Sequence, residues 1–286
     1  MDGVLIIDKP AGMTSHDVVD EVRARLRTKK VGHAGTLDPD ATGLLIVGVG
    51  KATRFLAYAQ TGPKRYWAQA RFGLTTSTQD ASGEVVEQSD ARVTEDQVRA
   101  ALDRFVGTIS QVPPMVSAVK VGGERLYRKA RRGEEVDRPV REVEIYSLEL
   151  TSFDGGAQIA ELDVTCSGGT YVRTLIHDLG AALGPGAHMT ALRRTETGGF
   201  GTGDAVTLEG VGPEALRPVA EAVRALATIE LDADAAADVV HGRKLPATLA
   251  GDLPEGEVAA LARGQELLAV YRRAGSELVA DRVVGR

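Results

Sequence analysis

The stretch Gly32-His33-Ala34-Gly35-Thr36-Leu37-Asp38-Pro39-Asp40-Ala41-Thr42-Gly43 sets the reading of the whole chain. Three glycines, a proline and two threonines within these twelve residues write a structured loop rather than a helix or strand. Glycine permits positive φ and close approach of a partner, and Pro39 restricts Asp38, the residue before it, to extended geometry. A carboxylate on a stiffened backbone, near a histidine and two small hydroxyls, is a candidate reactive centre. On spacing alone an Asp-Pro turn without chemistry is the commoner use of such a dipeptide.

Outward from that loop, the chain alternates strand and helix signals. Residues 4–7 form a short apolar run that stops at Asp8-Lys9-Pro10, which predicts a buried strand. Ser15 is placed to cap the next helix, with Val18, Val19, Val22 and Leu26 on one stripe. Residues 44–49 are too short and β-branched for a helix and predict a strand. A helix carrying Phe55, Leu56 and Tyr58 is expected after Gly50-Lys51. That Gly-Lys pair lacks the placement of a phosphate-binding loop, so a nucleoside triphosphate site is excluded.

Residues 64–73 alternate as a strand with Tyr66 and Trp67 on opposite faces. A polar loop over 75–83 follows, and Thr94 with Gln97 writes a capping box for a helix carrying Val98, Ala101, Leu102 and Phe105. Val112-Pro113-Pro114 ends that pattern. Beyond it come a short strand near Val119, a Gly122-Gly123 turn and a short helix over 126–132. Strands over 140–153 and 159–166 are joined by the turn Asp154-Gly155-Gly156. A helix over 172–184, a strand over 192–197, a flexible link over 198–203 and a helix start at Pro213 complete this part. Composition shifts near Thr228, and one short helix over 233–241 with several short strands predicts a small β-barrel. The fold class is therefore α+β: a mixed, largely antiparallel sheet flanked by helices, residues 1–227, with a small β-barrel-like domain over 228–286.

A chain of 286 residues with 43% hydrophobic content supplies a packed core. No apolar run reaches the roughly 18 residues that span a bilayer, and the N-terminus shows no signal-peptide pattern. The one cysteine, Cys166, forms no internal disulfide, which predicts a reduced, cytoplasmic compartment. No Cys/His cluster has metal-ligand spacing, so no metal is expected. The formal net charge is −6, but its distribution matters more than its sum. Residues 120–141 hold eight basic and four acidic side chains, a local +4. Arg23, Arg25, Arg27, Lys29 and Lys30 lead directly into the Gly32 loop. Each cluster alone reads as a solvated face; together, around a candidate active loop, they point to a polyanionic partner.

The run GHAGTLDPDATGLLIVGVGKATR closely resembles the catalytic motif of the bacterial tRNA pseudouridine-55 synthases, the TruB family of pseudouridine synthases. GVLIIDKPAGMTSHDVV, KRYWAQARFG and CSGGTYVRTLIHDLG resemble the other motifs of that family, in the same order, and the resemblance covers roughly residues 3–210. It implies the pseudouridine synthase fold with a PUA-type C-terminal domain, and isomerisation of a uridine in the T-loop of tRNA without any cofactor. It implies Asp38 as the catalytic carboxylate, Tyr66 as the tyrosine packing against the target base, and Arg173 as the arginine pairing with the aspartate. The convergence of these three is an implication of the resemblance alone. On the substrate side it implies His33, Tyr171, Leu192 and Lys9, with Lys9 and Pro10 also resembling the family's support beneath the active site.

The basic segment 120–141 corresponds to the family's RNA-gripping insertion, with Lys120, Arg125, Arg128, Lys129 and Arg132 as its phosphate contacts. Where the family more often has an acidic residue, Ser77 stands here, while Asp80 matches. The expected partner is the tRNA T-stem-loop, bound by a monomer with no required protein partner and no membrane. The alternatives are a tRNA-binding or RNA-folding protein without catalysis, and a related synthase working with guide or protein partners.

Overall fold

The structure is a computed structural model; it describes residues 1–114 and 138–285, and as backbone alone residues 120–121 and 124–125. In chain order its strands are β1 (Gly3–Lys9), β2 (Val31–Ala34), β3 (Thr42–Val49), β4 (Lys64–Phe72), β5 (Leu74–Thr76), β6 (Val85–Gln88), β7 (Gly107–Gln111), β8 (Lys120–Val121) and β9 (Glu124–Arg125). They continue as β10 (Arg141–Asp154), β11 (Ile159–Cys166), β12 (Ala187–Thr197), β13 (Phe200–Gly201), β14 (Thr228–Glu230), β15 (Leu245–Pro246), β16 (Val258–Arg263), β17 (Glu266–Ala274) and β18 (Glu277–Val283). The α-helices among the described residues are α1 (Ser15–Leu26), α2 (Glu95–Leu102), α3 (Val172–Leu183) and α4 (Ala233–Val240). The expected α+β class, with largely antiparallel pairing, is what the chain adopts.

Two compact units are present: Met1–Pro39 with Gly43–Gly62 and Thr197–Arg286, and Asp40–Thr42 with Pro63–Glu196. In the first, β3 pairs antiparallel with both β1 and β2. Strands β1 and β3 are apolar on both faces, and the period of two sorts their side chains. Leu5, Ile7, Leu45, Val47 and Val49 pack with Val18, Val19, Val22 and Leu26 of α1. Val4, Ile6, Leu44 and Ile46 pack instead with Phe55, Leu56, Tyr58, Ala222 and Val223, and with Ala260, Leu267 and Val270 from β16 and β17. A strand buried from both sides has no solvent-facing position to spare, so truncating Ile46 to alanine costs about 2–5 kcal/mol.

Helix α1 is capped one residue earlier than expected. Thr14, not Ser15, is the N-cap: its hydroxyl accepts from the Asp17 N–H and the Asp17 carboxylate accepts from the Thr14 N–H. Ser15 is buried and is used elsewhere, as described below. The predicted helix after Gly50 is instead two short 3₁₀ turns, Gly50–Arg54 and Tyr58–Gln60. Five strands in the order β14-β16-β17-β18-β15, with α4, make the expected small C-terminal β structure. Its own core includes Leu231, Val239, Leu261, Tyr271 and Leu278, and the Tyr58 hydroxyl of the second 3₁₀ turn donates to Asp281 on β18.

In the second unit β4, β11, β10 and β7 follow one another antiparallel. Along β4 the odd-even alternation buries Lys64, Tyr66, Ala68, Ala70 and Phe72, as the sequence pattern required. The capping box at Thr94 and Gln97 is present. The polar loop expected over 75–83 is for the most part the connection of a hairpin, β5 with β6, whose second strand is exposed along its whole length and so leaves no hydrophobic alternation to read. Strand β12 begins five residues before its predicted start, and α3 passes so close to that start that a Cβ on Gly180 would lie 2.2 Å from the Ala187 nitrogen.

Candidate active site

Asp38 is half-buried in the turn between β2 and β3, and its backbone is held from both sides. Ahead of it, the Leu37 N–H donates to Ser15 Oγ at 2.9 Å and the Ser15 hydroxyl donates to the Leu37 carbonyl at 3.2 Å. Behind it, the Pro39 carbonyl accepts from Lys9 Nζ at 2.8 Å and from the Gly12 N–H at 3.0 Å. Lys9 is fully buried, and its ammonium also donates to the Pro10 and Met13 carbonyls, at 2.8 and 2.6 Å. An ammonium carries three donors, and here all three are spent on backbone carbonyls. Lys9 therefore sits beneath the loop, with its ammonium on the backbone that carries Asp38. The segment from β1 through the start of α1 thus fixes both peptide neighbours of the candidate carboxylate.

Arg173 lies in the first turn of α3 and is 3% exposed. Its guanidinium donates to the Asp80 carboxylate at 2.9 Å, and it lies 5.9 Å from the centroid of the Tyr171 ring. Asp80 sits in the β5–β6 turn and accepts in addition from the Ser82 N–H, the Ser82 hydroxyl and the Thr78 hydroxyl, at 3.0, 2.6 and 2.6 Å. Burial alone pushes this carboxyl up; the bonds from Ser82 and Thr78 and the Arg173 charge outweigh it and hold the group below the ordinary carboxylate range. Next to the arginine, Thr174 donates to the Gln79 side chain at 2.7 Å. A second arm reaches Tyr171, whose N–H and carbonyl are both engaged by the buried Gln111 amide.

Tyr66 is buried on β4, in register with Val164 of β11. His33 is half-buried on β2 opposite Val47, and Leu192 is half-buried on β12 with its carbonyl accepting from Thr42 at 3.5 Å. Lys9, His33 and Asp38 belong to the first compact unit, and Tyr66, Tyr171, Arg173 and Leu192 to the second. Lys120 and Arg125 are backbone partners across the β8–β9 pair; Arg128, Lys129 and Arg132 lie outside the described residues.

The residues that hold others were the ones missed: Ser15, Gln111, Thr78 and Ser82. For Asp80 a signal existed, since Thr78-Gln79-Asp80-Ala81-Ser82 places a hydroxyl two residues to either side of an aspartate, as Asx turns do. No comparable local signal marks Gln111 or Ser15.

The model of the TruB family pseudouridylate synthase N-terminal domain matches residues 23–172, and that of the tRNA pseudouridylate synthase B C-terminal domain matches residues 173–227. The chain belongs to the TruB family. The tRNA pseudouridine synthase B of Thermobifida fusca is 48% identical over 92% of this chain and 95% of its own length. That of Symbiobacterium thermophilum is 52% identical over 85% and 82%. A chain in the crystal structure of a Cbf5-Nop10-Gar1 complex shares the fold at 29% identity and a TM-score of 0.77, over 99% of this chain and 84% of that one.

Within this TruB-family chain no described helix is long and apolar enough to cross a membrane. Among the described residues no group of three or more His, Cys, Asp or Glu side chains is placed to hold a metal ion. The chemistry on offer is a half-buried carboxylate on a fixed loop and a buried arginine held by a low-pKa aspartate. The second unit, which carries that arginine and aspartate, also carries the buried Tyr66.

Proposed function

We propose that this chain is a tRNA pseudouridine synthase that isomerises a uridine of the T-loop, U55, to pseudouridine. The relatives' name supplies the reaction and the RNA class, and the observation that carries the reading is the two-sided clamp on the backbone of Asp38. The reaction breaks the bond between uracil N1 and ribose C1′ and forms one between C5 and C1′. The proton on C5 leaves and N1 gains one, so neither electrons nor an energy donor enter the balance. Its demands are an ionised carboxylate at the sugar–base junction and a base taken out of its stack.

Asp38 is the carboxylate in this reading. A fixed peptide frame lets it meet the ribose without a search through loop conformers, which is where positioning lowers a barrier. Tyr66 packs against the target base and takes part in removing the C5 proton, for which a phenol on an aromatic face is suited. Arg173 contributes a fixed positive charge that favours ionised carboxylate, its direction set by Asp80. His33, Tyr171 and Leu192 border the flipped nucleotide, the basic segment 120–141 grips phosphates, and the C-terminal β structure contacts RNA as a PUA-type domain. The protein acts alone, as a monomer in the cytoplasm.

The test uses an unmodified tRNA transcript and the purified protein with nothing else added. Pseudouridine is mapped by carbodiimide adduct and primer extension, with Asp38→Asn alongside. A single stop in the T-loop, abolished in the variant while tRNA binding persists, is the expected result. Binding without a stop in the wild type would replace the enzyme by an RNA-folding protein, and a stop that survived Asp38→Asn would remove Asp38 from the chemistry.

A further inference from the structure

We infer that Gln111 is a positioning residue for the reaction, a buried amide that fixes the start of α3 and through it the side chains of Tyr171 and Arg173. This deepens the functional reading above and rests on it.

Gln111 is the last residue of β7 and is 1% exposed. Its Oε1 accepts from the Tyr171 N–H at 3.0 Å, and its Nε2 donates to the Tyr171 carbonyl at 3.2 Å. The two bonds fix the amide's orientation, because only its oxygen can face the N–H and only its nitrogen the carbonyl. A single side chain thereby gives Tyr171 what a neighbouring strand would give it. The need for this is local. Tyr171 is the N-cap of α3, a position where Ser, Thr, Asp or Asn normally satisfies the helix's free donors, and it makes no side-chain capping bond. The next carbonyl–amide link, from the Leu175 N–H back to the Tyr171 carbonyl at 3.1 Å, starts the helix from the residue that Gln111 holds.

Arg173 follows two positions later, its guanidinium over the Tyr171 ring and on Asp80. The arginine is thus fixed at its head by Asp80 and at its root by Gln111. Gln111 is itself anchored: its backbone pairs with Arg141 of β10, and beside it the Arg138 guanidinium donates to the Pro113 carbonyl at 3.0 Å. The described ends of the two chain legs that lead into the basic segment therefore meet at the residue that sets the helix start. Only a primary amide of this length provides one donor and one acceptor at that reach. Glutamate keeps the acceptor and loses the donor, and methionine has the length and neither.

The deciding experiment compares wild type, Gln111→Met and Gln111→Glu by turnover on an unmodified tRNA transcript and by hydrogen exchange at the Tyr171 amide. A positioning role predicts that Gln111→Met lowers kcat roughly tenfold to a hundredfold, the scale of a small misplacement at a reacting site, with KM within about twofold. The Tyr171 amide loses its protection while core amides such as that of Val164 keep theirs. Gln111→Glu, which retains the acceptor and the volume, keeps that amide protected and shows a smaller fall in kcat; it carries the test if the methionine variant does not fold. Wild-type kcat in folded Gln111→Met, a loss confined to KM, or unchanged Tyr171 exchange would each overturn the inference. A wild type that makes no pseudouridine would sink the functional reading instead, and the exchange comparison would still decide whether Gln111 sets the helix start.

Discussion

Replacing Lys9 by methionine separates the stability of the Asp38 loop from its function. The ammonium has no exposed surface and donates to three carbonyls at 2.6–2.8 Å. Methionine fills the volume and strands two of them, those of Pro10 and Met13, while the Pro39 carbonyl keeps the Gly12 N–H. A stranded carbonyl away from water costs about 1–3 kcal/mol; Pro10 is exposed and Met13 half-buried, so water takes up part of the loss at these two. Against this, the variant no longer buries an ion, which costs several kcal/mol in its own right. The two terms largely cancel, and they leave a net loss of about 0–2 kcal/mol. At about 2 °C per kcal/mol for a chain of this size, Tm falls by at most about 4 °C.

Turnover should fall further than stability does. With one of its two holders gone, the peptide after Asp38 is free to shift, and a displacement of about 1 Å at a reacting group costs roughly a hundredfold. The assay is thermal unfolding paired with single-turnover pseudouridine formation at 25 °C, where the variant remains folded. A lowered Tm with wild-type turnover would reduce Lys9 to a stabilising residue. No change in either would refute the clamp itself.

Asp80→Asn removes a carboxylate whose folded pKa is depressed, so the stability it contributes is present above the unfolded value of about 3.9 and is lost as pH falls through the folded one. The wild type should exceed the variant in stability at pH 7, with the gap closing in strong acid; a gap that widened on acidification would contradict the ion pair with Arg173. Cys166 has no exposed surface, and burial pushes its thiol up to about 11, so an aromatic disulfide reagent at pH 8 should find no thiol in the folded protein and one after denaturation. Gly180→Ala puts a methyl 2.2 Å from the Ala187 nitrogen, where backbone on both sides must move. A loss of about 1–3 kcal/mol, read from denaturant midpoints, is expected, and an unchanged midpoint would mean that α3 and β12 are less closely packed.

What the sequence showed and what it hid divide along physical lines. Patterns that repeat within one element were readable: the alternation that buries Tyr66 on β4, the Thr94–Gln97 capping box, and the two-sided apolar runs of β1 and β3. Each is a local rule with a period or a fixed offset. The cap of α1 was missed by one residue because Thr14 and Ser15 carry the same hydroxyl, and only the tertiary bond to Leu37 decides between them. The 3₁₀ turns after Gly50 were read as helix because Phe55 and Tyr58 keep helical spacing whether or not the hydrogen bonds do.

The candidate site divides the same way, and the division explains why its supports are polar. Asp38, Tyr66 and Arg173 stand in short motifs and could be named from them. Lys9, Ser15, Gln111 and Asp80 act on residues 30, 22, 60 and 93 positions away, so no window of the sequence contains both ends of any of these contacts. A loop and a helix start cannot be fixed by apolar packing alone, since their backbone groups must find partners wherever water is excluded. Each support accordingly spends a polar side chain, buried in Lys9, Ser15 and Gln111 and half-buried in Asp80, on backbone groups or on the buried Arg173 guanidinium. Such a residue is poorly tolerated in a core unless its partners are present. Replacing any one of the four by an apolar residue of equal size should therefore cost more in turnover than replacing a purely apolar neighbour such as Val164, even where the two losses of stability are equal. Equal turnover losses at equal stability would mean that these side chains serve the fold and not the site.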